Sequence, residues 1–215
     1  MVGQKRRQAV LIATGILSGL AVGWFIRKAA SRLVEGSAGV PAWLVCPLTA
    51  VLWAAIAATA PSPAAAAYGW VVAALAVLIT ITDVLRRTIP NVALAAATVL
   101  WVPLWLIARP GPLAAGPFGA LVFAGPLWAA ARLRPGEMGM GDVKLGAVLG
   151  LYLGFPLSVV GLILGVLAGG LGGAAVLLRA SGSRRDTIPY GPFLAAGALA
   201  ALVWGSRLLH LLGPV

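Results

Sequence analysis

Acidic side chains are almost missing from this chain: Glu35, Asp83, Glu137, Asp142 and Asp186 are five among 215 residues, against 16 lysines and arginines. Cysteine occurs once, at Cys46, so the chain alone can build neither a disulfide framework nor a cysteine-ligated zinc site; Cys46 lies in an apolar run and reads as packing. Histidine also occurs once, and His210, near the C-terminal end with no acidic neighbour, suits an interfacial or helix-capping place. No stretch longer than a short loop looks soluble, which excludes a secretory signal followed by a soluble domain. What fills the chain is apolar, with 61% hydrophobic and 10% charged residues and runs of membrane-spanning length to its end. It reads as an all-α polytopic membrane protein, a single transmembrane domain over 1–215.

Eight spans are expected, near 8–26, 41–60, 64–82, 90–108, 113–131, 143–154, 157–178 and 191–212. The sixth is short. From Leu145 to Leu178 the chain is continuously apolar for about 51 Å if drawn as one helix, against roughly 30 Å of hydrocarbon, so a turn is expected at "GFP", 154–156.

The net charge of +11 does not point to nucleic acid, because the basic residues stand in short groups between apolar runs rather than along one solvated face. Arg27, Lys28 and Arg32, then Arg86 and Arg87, then Arg132, Arg134 and Lys144, then Arg179, Arg184 and Arg185 fall in alternate loops. Those loops are expected on the cytoplasmic side, facing anionic lipid headgroups, with both termini outside. Lys5, Arg6 and Arg7 break this pattern. Gly161, Gly165, Gly169 and Gly173 recur every fourth residue and predict a smooth helical ridge for close backbone packing. Trp43, Trp70, Trp128 and Trp204 near segment ends read as interface anchors and packing groups.

All five acids map to the predicted cytoplasmic side, and two stand at helix ends. Asp83 closes "VVAALAVLITITD" with Arg86 and Arg87 following, and Asp142 precedes "VKLGAVLGLYLG". Singly, Asp83 reads equally well as a helix-end partner of those arginines, and Asp142 as a carboxylate favoured by a helix N-terminus. As a pair they acquire a chemistry. Two carboxyls close together in a partly desolvated cleft cannot both ionise easily, so they hold one proton between them. One then draws a proton from water attacking an amide carbonyl while the other hydrogen-bonds the carbonyl oxygen. Gly139 and Gly141 are expected to leave room for an extended peptide beside Asp142 and to permit unusual backbone angles. Pro90 makes the loop after Asp83 short, and Lys144 is expected to be an interfacial anchor.

"D-V-L-R-R-T-I-P-N" at 83–91, "G-M-G-D-V-K-L" at 139–145 and "I-P-Y-G-P-F-L-A-A-G" at 188–197 occur in an order that resembles the type IV prepilin peptidases, and "ILSGLAVGWFIRKAASRL" at 16–33 is fainter support. The resemblance implies an intramembrane aspartic protease that removes the short basic leader of prepilin-like precursors at the cytoplasmic face of the bacterial plasma membrane, cutting after glycine. It places the catalytic aspartates at Asp83 and Asp142 in helices of 64–212, supported by Gly139, Gly141, Lys144, Pro90, Asn91, Pro189, Gly191 and Pro192. No metal or other cofactor is implied for proteolysis. Many members also methylate the new N-terminus with S-adenosylmethionine and carry a large first cytoplasmic loop with two cysteine pairs. Here that loop, about 27–40 at the end of the 1–40 segment, has no cysteine pair and departs from the pattern. Glu35, Glu137 and Asp186 are expected either to attract the cationic leader or to be solvated loop charges. The main alternative is a small proton- or cation-coupled transporter, whose acids should lie nearer the bilayer midplane on broken helices.

Overall fold

A computed structural model describes residues 2–33, 40–108, 110–134, 138–178 and 189–212. Among them the elements are all helices: α1 (Val2–Leu33), α2 (Ala42–Thr59), α3 (Pro63–Arg86), α4 (Asn91–Ala108), α5 (Ala115–Leu133), α6 (Met140–Leu153), α7 (Leu157–Leu178) and α8 (Gly191–Leu212). Every expected span has its helix. Six are long and apolar enough to cross a membrane; α5 and α6 fall outside that group. With 14 residues, α6 rises only about 21 Å. In contrast, α1 has 32 residues, well beyond the expected 8–26, because Lys5–Arg7 at one end and Arg27–Arg32 at the other continue the helix past its apolar centre.

Prolines punctuate the helices. Pro63 opens α3 behind Ser62, whose Oγ accepts the Ala65 amide at 3.1 Å, and Pro90 precedes α4 with its carbonyl accepting from Ala93 and Leu94. Pro47, Pro103 and Pro126 lie inside α2, α4 and α5, which membrane helices tolerate when neighbours cover the freed backbone.

Contacts divide the chain into two compact units, Met1–Arg86 with Pro90–Leu113, and Arg87–Ile89 with Ala114–Val215. Within the first, α1 and α2 run antiparallel. Gln8 Nε2 donates to the carbonyls of Ala57 (3.2 Å) and Ala58 (2.8 Å) at one end, and Arg27 Nε donates to Val40 O (2.9 Å) at the other. Between these ties the backbones nearly touch: a methyl added at Gly19 would stand 2.7 Å from Ala50 Cα, and one at Gly23 2.8 Å from Cys46 Cα. This ridge of Gly15, Gly19 and Gly23 was not foreseen, and it gives Cys46 the packing place expected of it. Helix α3 is held by aromatics: the Trp53 and Trp70 rings stack at 5.0 Å, Trp70 Nε1 donates to Trp53 O, and Trp101 Nε1 on α4 donates to Tyr68 Oη at 2.9 Å. Trp70 is thus a packing group, whereas Trp43, Trp128 and Trp204 are exposed as anchors should be.

Within the second unit, α5 and α6 cross so closely that a methyl on Gly119 would overlap the Gly150 carbonyl oxygen, and the reverse. Phe123, fully buried, fills the space beside Gly146. The expected turn at 154–156 is present: Gly154 adopts φ +66, a conformation suited to glycine, and the Phe155 amide donates to Ala115 O at 2.9 Å. The predicted ridge on α7 meets α8, where Gly165 faces Leu194 and the Gly197 position abuts Gly161 and Gly165. Since lipid tails are as apolar as the helices, such backbone proximity supplies the attraction through dispersion.

Gly150→Val should therefore destabilise the protein by about 1–3 kcal/mol or more, whereas Gly170→Ala, with nothing within 4 Å of its added methyl, should be neutral or slightly stabilising. Unfolding from mild detergent into dodecyl sulfate, followed by tryptophan fluorescence, measures both.

Candidate active site

Asp83 lies in the last turn of α3, with 5% of its surface exposed, in a row of buried residues that includes Ile81 and Thr82. Thr82 satisfies itself locally, its hydroxyl donating to Leu78 O and Ile79 O at 3.2 Å. Nearby, the core of the first unit gathers Ile26, Ala30, Val45, Val77 and Ile81. A carboxylate so far from water is costly to leave ionised unless hydrogen bonds or a cation compensate it. The loop from Arg87 to Pro90 is short, as expected, with Arg87 at φ 52 turning the chain, and Asn91 opens α4 exposed.

Asp142 occupies the first turn of α6, behind Gly139 as the residue capping the helix, and its amide donates to Gly139 O at 3.1 Å. Its Oδ1 is sealed from solvent. A methyl at Gly139 would stand 3.3 Å from Oδ2, so Gly139 makes room for the carboxylate itself. Gly141 is not open space for a peptide: a methyl there would stand 3.3 Å from Ile89 Cβ. Neither glycine uses special backbone angles, because Gly139 sits at φ -76, ψ 141 and Gly141 is helical. The expected special backbone angles are corrected for both glycines, and the expected open space is corrected for Gly141, which packs against Ile89.

Helix register sets the depth of Asp142. Gly150 faces Gly119 and Gly146 faces Phe123, so Asp142 is level with Leu127, six residues and about 9 Å short of the end of α5. A similar step separates α7 from α8. Tyr190 lies against Gly169, and α7 continues nine residues, about 13 Å, beyond that level. The starts of α6 and α8 thus both lie short of the ends of α5 and α7.

Tyr190 was not among the expected site residues, although it stands inside "IPYGPFL". Its carbonyl accepts the Phe193 (3.1 Å) and Leu194 (3.2 Å) amides that begin α8. The ring fills the notch at Gly169, where any methyl would overlap it, and stands 6.4 Å from the Phe193 ring. Burial, and after it the negative charge of Asp142, raise the Tyr190 phenol above its usual 10.0. The phenol therefore stays protonated near the carboxyl of Asp142. Of the other expected residues, Gly191 is buried, Pro189 and Pro192 are half-buried, and Lys144 is exposed, as an interfacial anchor should be. Glu35, Glu137 and Asp186 lie outside the described residues, as do Arg179, Arg184 and Arg185.

The profile of the type IV leader peptidase family matches residues 70–174, a stretch containing both Asp83 and Asp142. Over that stretch, just under half of its length, the chain is similar to the family. It is 34% identical over 141 residues to a prepilin leader peptidase/N-methyltransferase of Bacillus subtilis (strain 168), a match covering 63% of this chain and 54% of the relative. Over 91 residues it is 37% identical to the Aeromonas salmonicida (strain A449) protein of the same name, covering 42% and 31%. The Legionella pneumophila protein of that name is 38% identical over 74 residues, covering 34% and 25%. The matches thus span about half of these relatives' length or less. No solved structure matches the chain.

Because Tyr190 holds its proton more tightly folded than unfolded, its contribution to stability is intact below pH 10.0 and fades as the pH climbs past it. Asp142→Asn should lower the Tyr190 titration midpoint while leaving it above 10.0, since burial, the larger cause, persists. The ultraviolet difference between each protein and its Tyr190→Phe counterpart isolates this phenol; an unmoved midpoint separates the two groups.

Proposed function

We propose that this chain is a member of the type IV leader peptidase family, an aspartic endopeptidase that removes the short basic leader of type IV prepilin-like precursors, cutting after glycine at the cytoplasmic membrane face, with Asp83 and Asp142 as its catalytic pair. The observation that carries the reading is that the family match includes both aspartates, each at a helix end, Asp83 buried and Asp142 half-buried with Oδ1 sealed from solvent. Further support comes from Ile89, six residues after Asp83, which packs against Gly141, the residue before Asp142. The helix step is consistent with this: a peptide bond must leave its helix before water can attack it, and Asp142 stands about 9 Å short of the end of α5 rather than at mid-span.

In the proposed reaction the ionised aspartate takes a proton from water as the water oxygen bonds to the glycine carbonyl carbon. The protonated aspartate hydrogen-bonds the carbonyl oxygen as charge develops on it, and a proton then passes to the leaving nitrogen as the C–N bond breaks. The products are a leader carboxylate and a new N-terminal amine. The dyad titrates as a unit. Tyr190, kept neutral, can donate to Asp142 when that carboxyl is ionised and accept from it when it is protonated.

Proteolysis alone is proposed. The relatives' names include N-methyltransferase, but the residues between α1 and α2 are only 34–41 and hold no cysteine. Asp83→Asn and Asp142→Asn should each lower leader removal by at least about 10²–10⁴-fold while the protein still elutes as a folded species. Mass spectrometry of a prepilin-like peptide incubated with the full chain measures this, and near-normal cleavage by either variant defeats the dyad. Adding S-adenosylmethionine should leave the product mass unchanged.

A further inference from the structure

The end of the first unit away from Asp83 has a feature that proteolysis does not use. The first turns of α1, the residues 60–62 and the start of α3 enclose a cavity of about 1070 Å³, lined by Arg6, Arg7, Val10, Leu11 and Ser62 among others. One wall is fixed, because Gln8 is spent on the last carbonyls of α2. Ser62 Oγ is likewise occupied by the Ala65 amide. Among the described residues, Arg6 and Arg7 make no ion pair or hydrogen bond with their side chains.

Charge accounting makes this end anomalous. In the sequence of the first unit the acids are Glu35 and Asp83. Asp83 is 20 residues along α3 from Pro63, about 30 Å, several Debye lengths at physiological salt. Glu35 follows the opposite end of α1 in the sequence. Lys5, Arg6 and Arg7, which break the distribution of the other basic residues, therefore stand where the unit offers no counter-ion, and neutralisation must come from outside it.

The surroundings specify its chemistry. Val10, Leu17 and Trp24 recur every seventh residue on one face of α1 and are 58%, 69% and 45% exposed, so an apolar strip runs from the cavity along the helix. A guanidinium pair grips phosphate through paired N–H donors, and the strip suits a hydrocarbon chain. We propose that this cavity binds the headgroup of one anionic phospholipid, its phosphate between Arg6 and Arg7 and an acyl chain along Val10, Leu17 and Trp24. The proposal is independent of the peptidase reading. It gives the basic triplet a local role, so those cations need not mark the side of the membrane where the other basic groups lie.

Native mass spectrometry of the full chain in a non-ionic detergent, titrated with phosphatidylglycerol, phosphatidylcholine or inorganic phosphate, tests it. One phosphatidylglycerol should be retained per chain, phosphatidylcholine at most weakly, and inorganic phosphate should not displace the lipid at equal concentration. The double variant Arg6→Gln/Arg7→Gln should weaken phosphatidylglycerol binding roughly 30-fold. Should that variant fail to fold, Arg6→Lys/Arg7→Lys takes its place and its phosphatidylglycerol affinity should fall as salt is raised. Equal retention of the two lipids, unchanged affinity in the glutamine variant, salt-insensitive binding in the lysine variant, or displacement by phosphate overturns the proposal.

Discussion

Backbone-to-backbone approach at glycine is the constraint on which the rest depends. In hydrocarbon an exposed leucine loses little by staying exposed, so helices adhere where their atoms come closest. Three antiparallel pairs use the same device: Gly15, Gly19 and Gly23 between α1 and α2, Gly119 and Gly150 between α5 and α6, and Gly161, Gly165 and Gly197 between α7 and α8. These contacts fix helix register, and register sets how deep each helix begins. The depth of Asp142 follows from Gly119 and Gly150, thirteen and six residues from the nearest charged group of their own helices. Its position therefore rests on packing near the middle of α6 rather than on the loop before it.

Much of the fold was legible because an apolar run of spanning length has few alternatives to a helix, and charge or proline marks its ends. The turn at 154–156 followed from length alone. Helix partners were less legible. Every run is apolar on most faces, so nothing in composition says that α4 belongs with α1–α3 or that Arg87–Ile89 groups with α5–α8. The α7 ridge stands out in an uninterrupted apolar segment, while the same spacing at Gly15, Gly19 and Gly23 is obscured by the charged ends of α1.

At the site, scarcity made Asp83 and Asp142 stand out: in a chain with five acids, two at the ends of long apolar runs call for a reason. Their supporting residues are decided by shape, which a linear pattern does not carry. Gly141 was read as leaving space and proves to be filled by Ile89. Tyr190 was passed over because an aromatic at the start of a membrane helix normally serves as an anchor. Only the notch at Gly169 and the nearby charge of Asp142 distinguish it.

Hydrolysis of a peptide inside a membrane makes opposed demands. Water must arrive, yet the carboxyls that activate it work best where the dielectric is low enough for one to keep its proton. Mid-bilayer meets only the second demand, and a surface loop only the first. A short helix packed in register against a longer one meets both. Because Asp142 is level with Leu127 rather than with Leu133, it stands short of the end of α5, half-buried at the end of its own helix. Two further turns between Gly150 and Asp142 would lift that carboxylate level with the end of α5, so the brevity that left α6 outside the spanning helices is also what the proposed chemistry asks of its first turn.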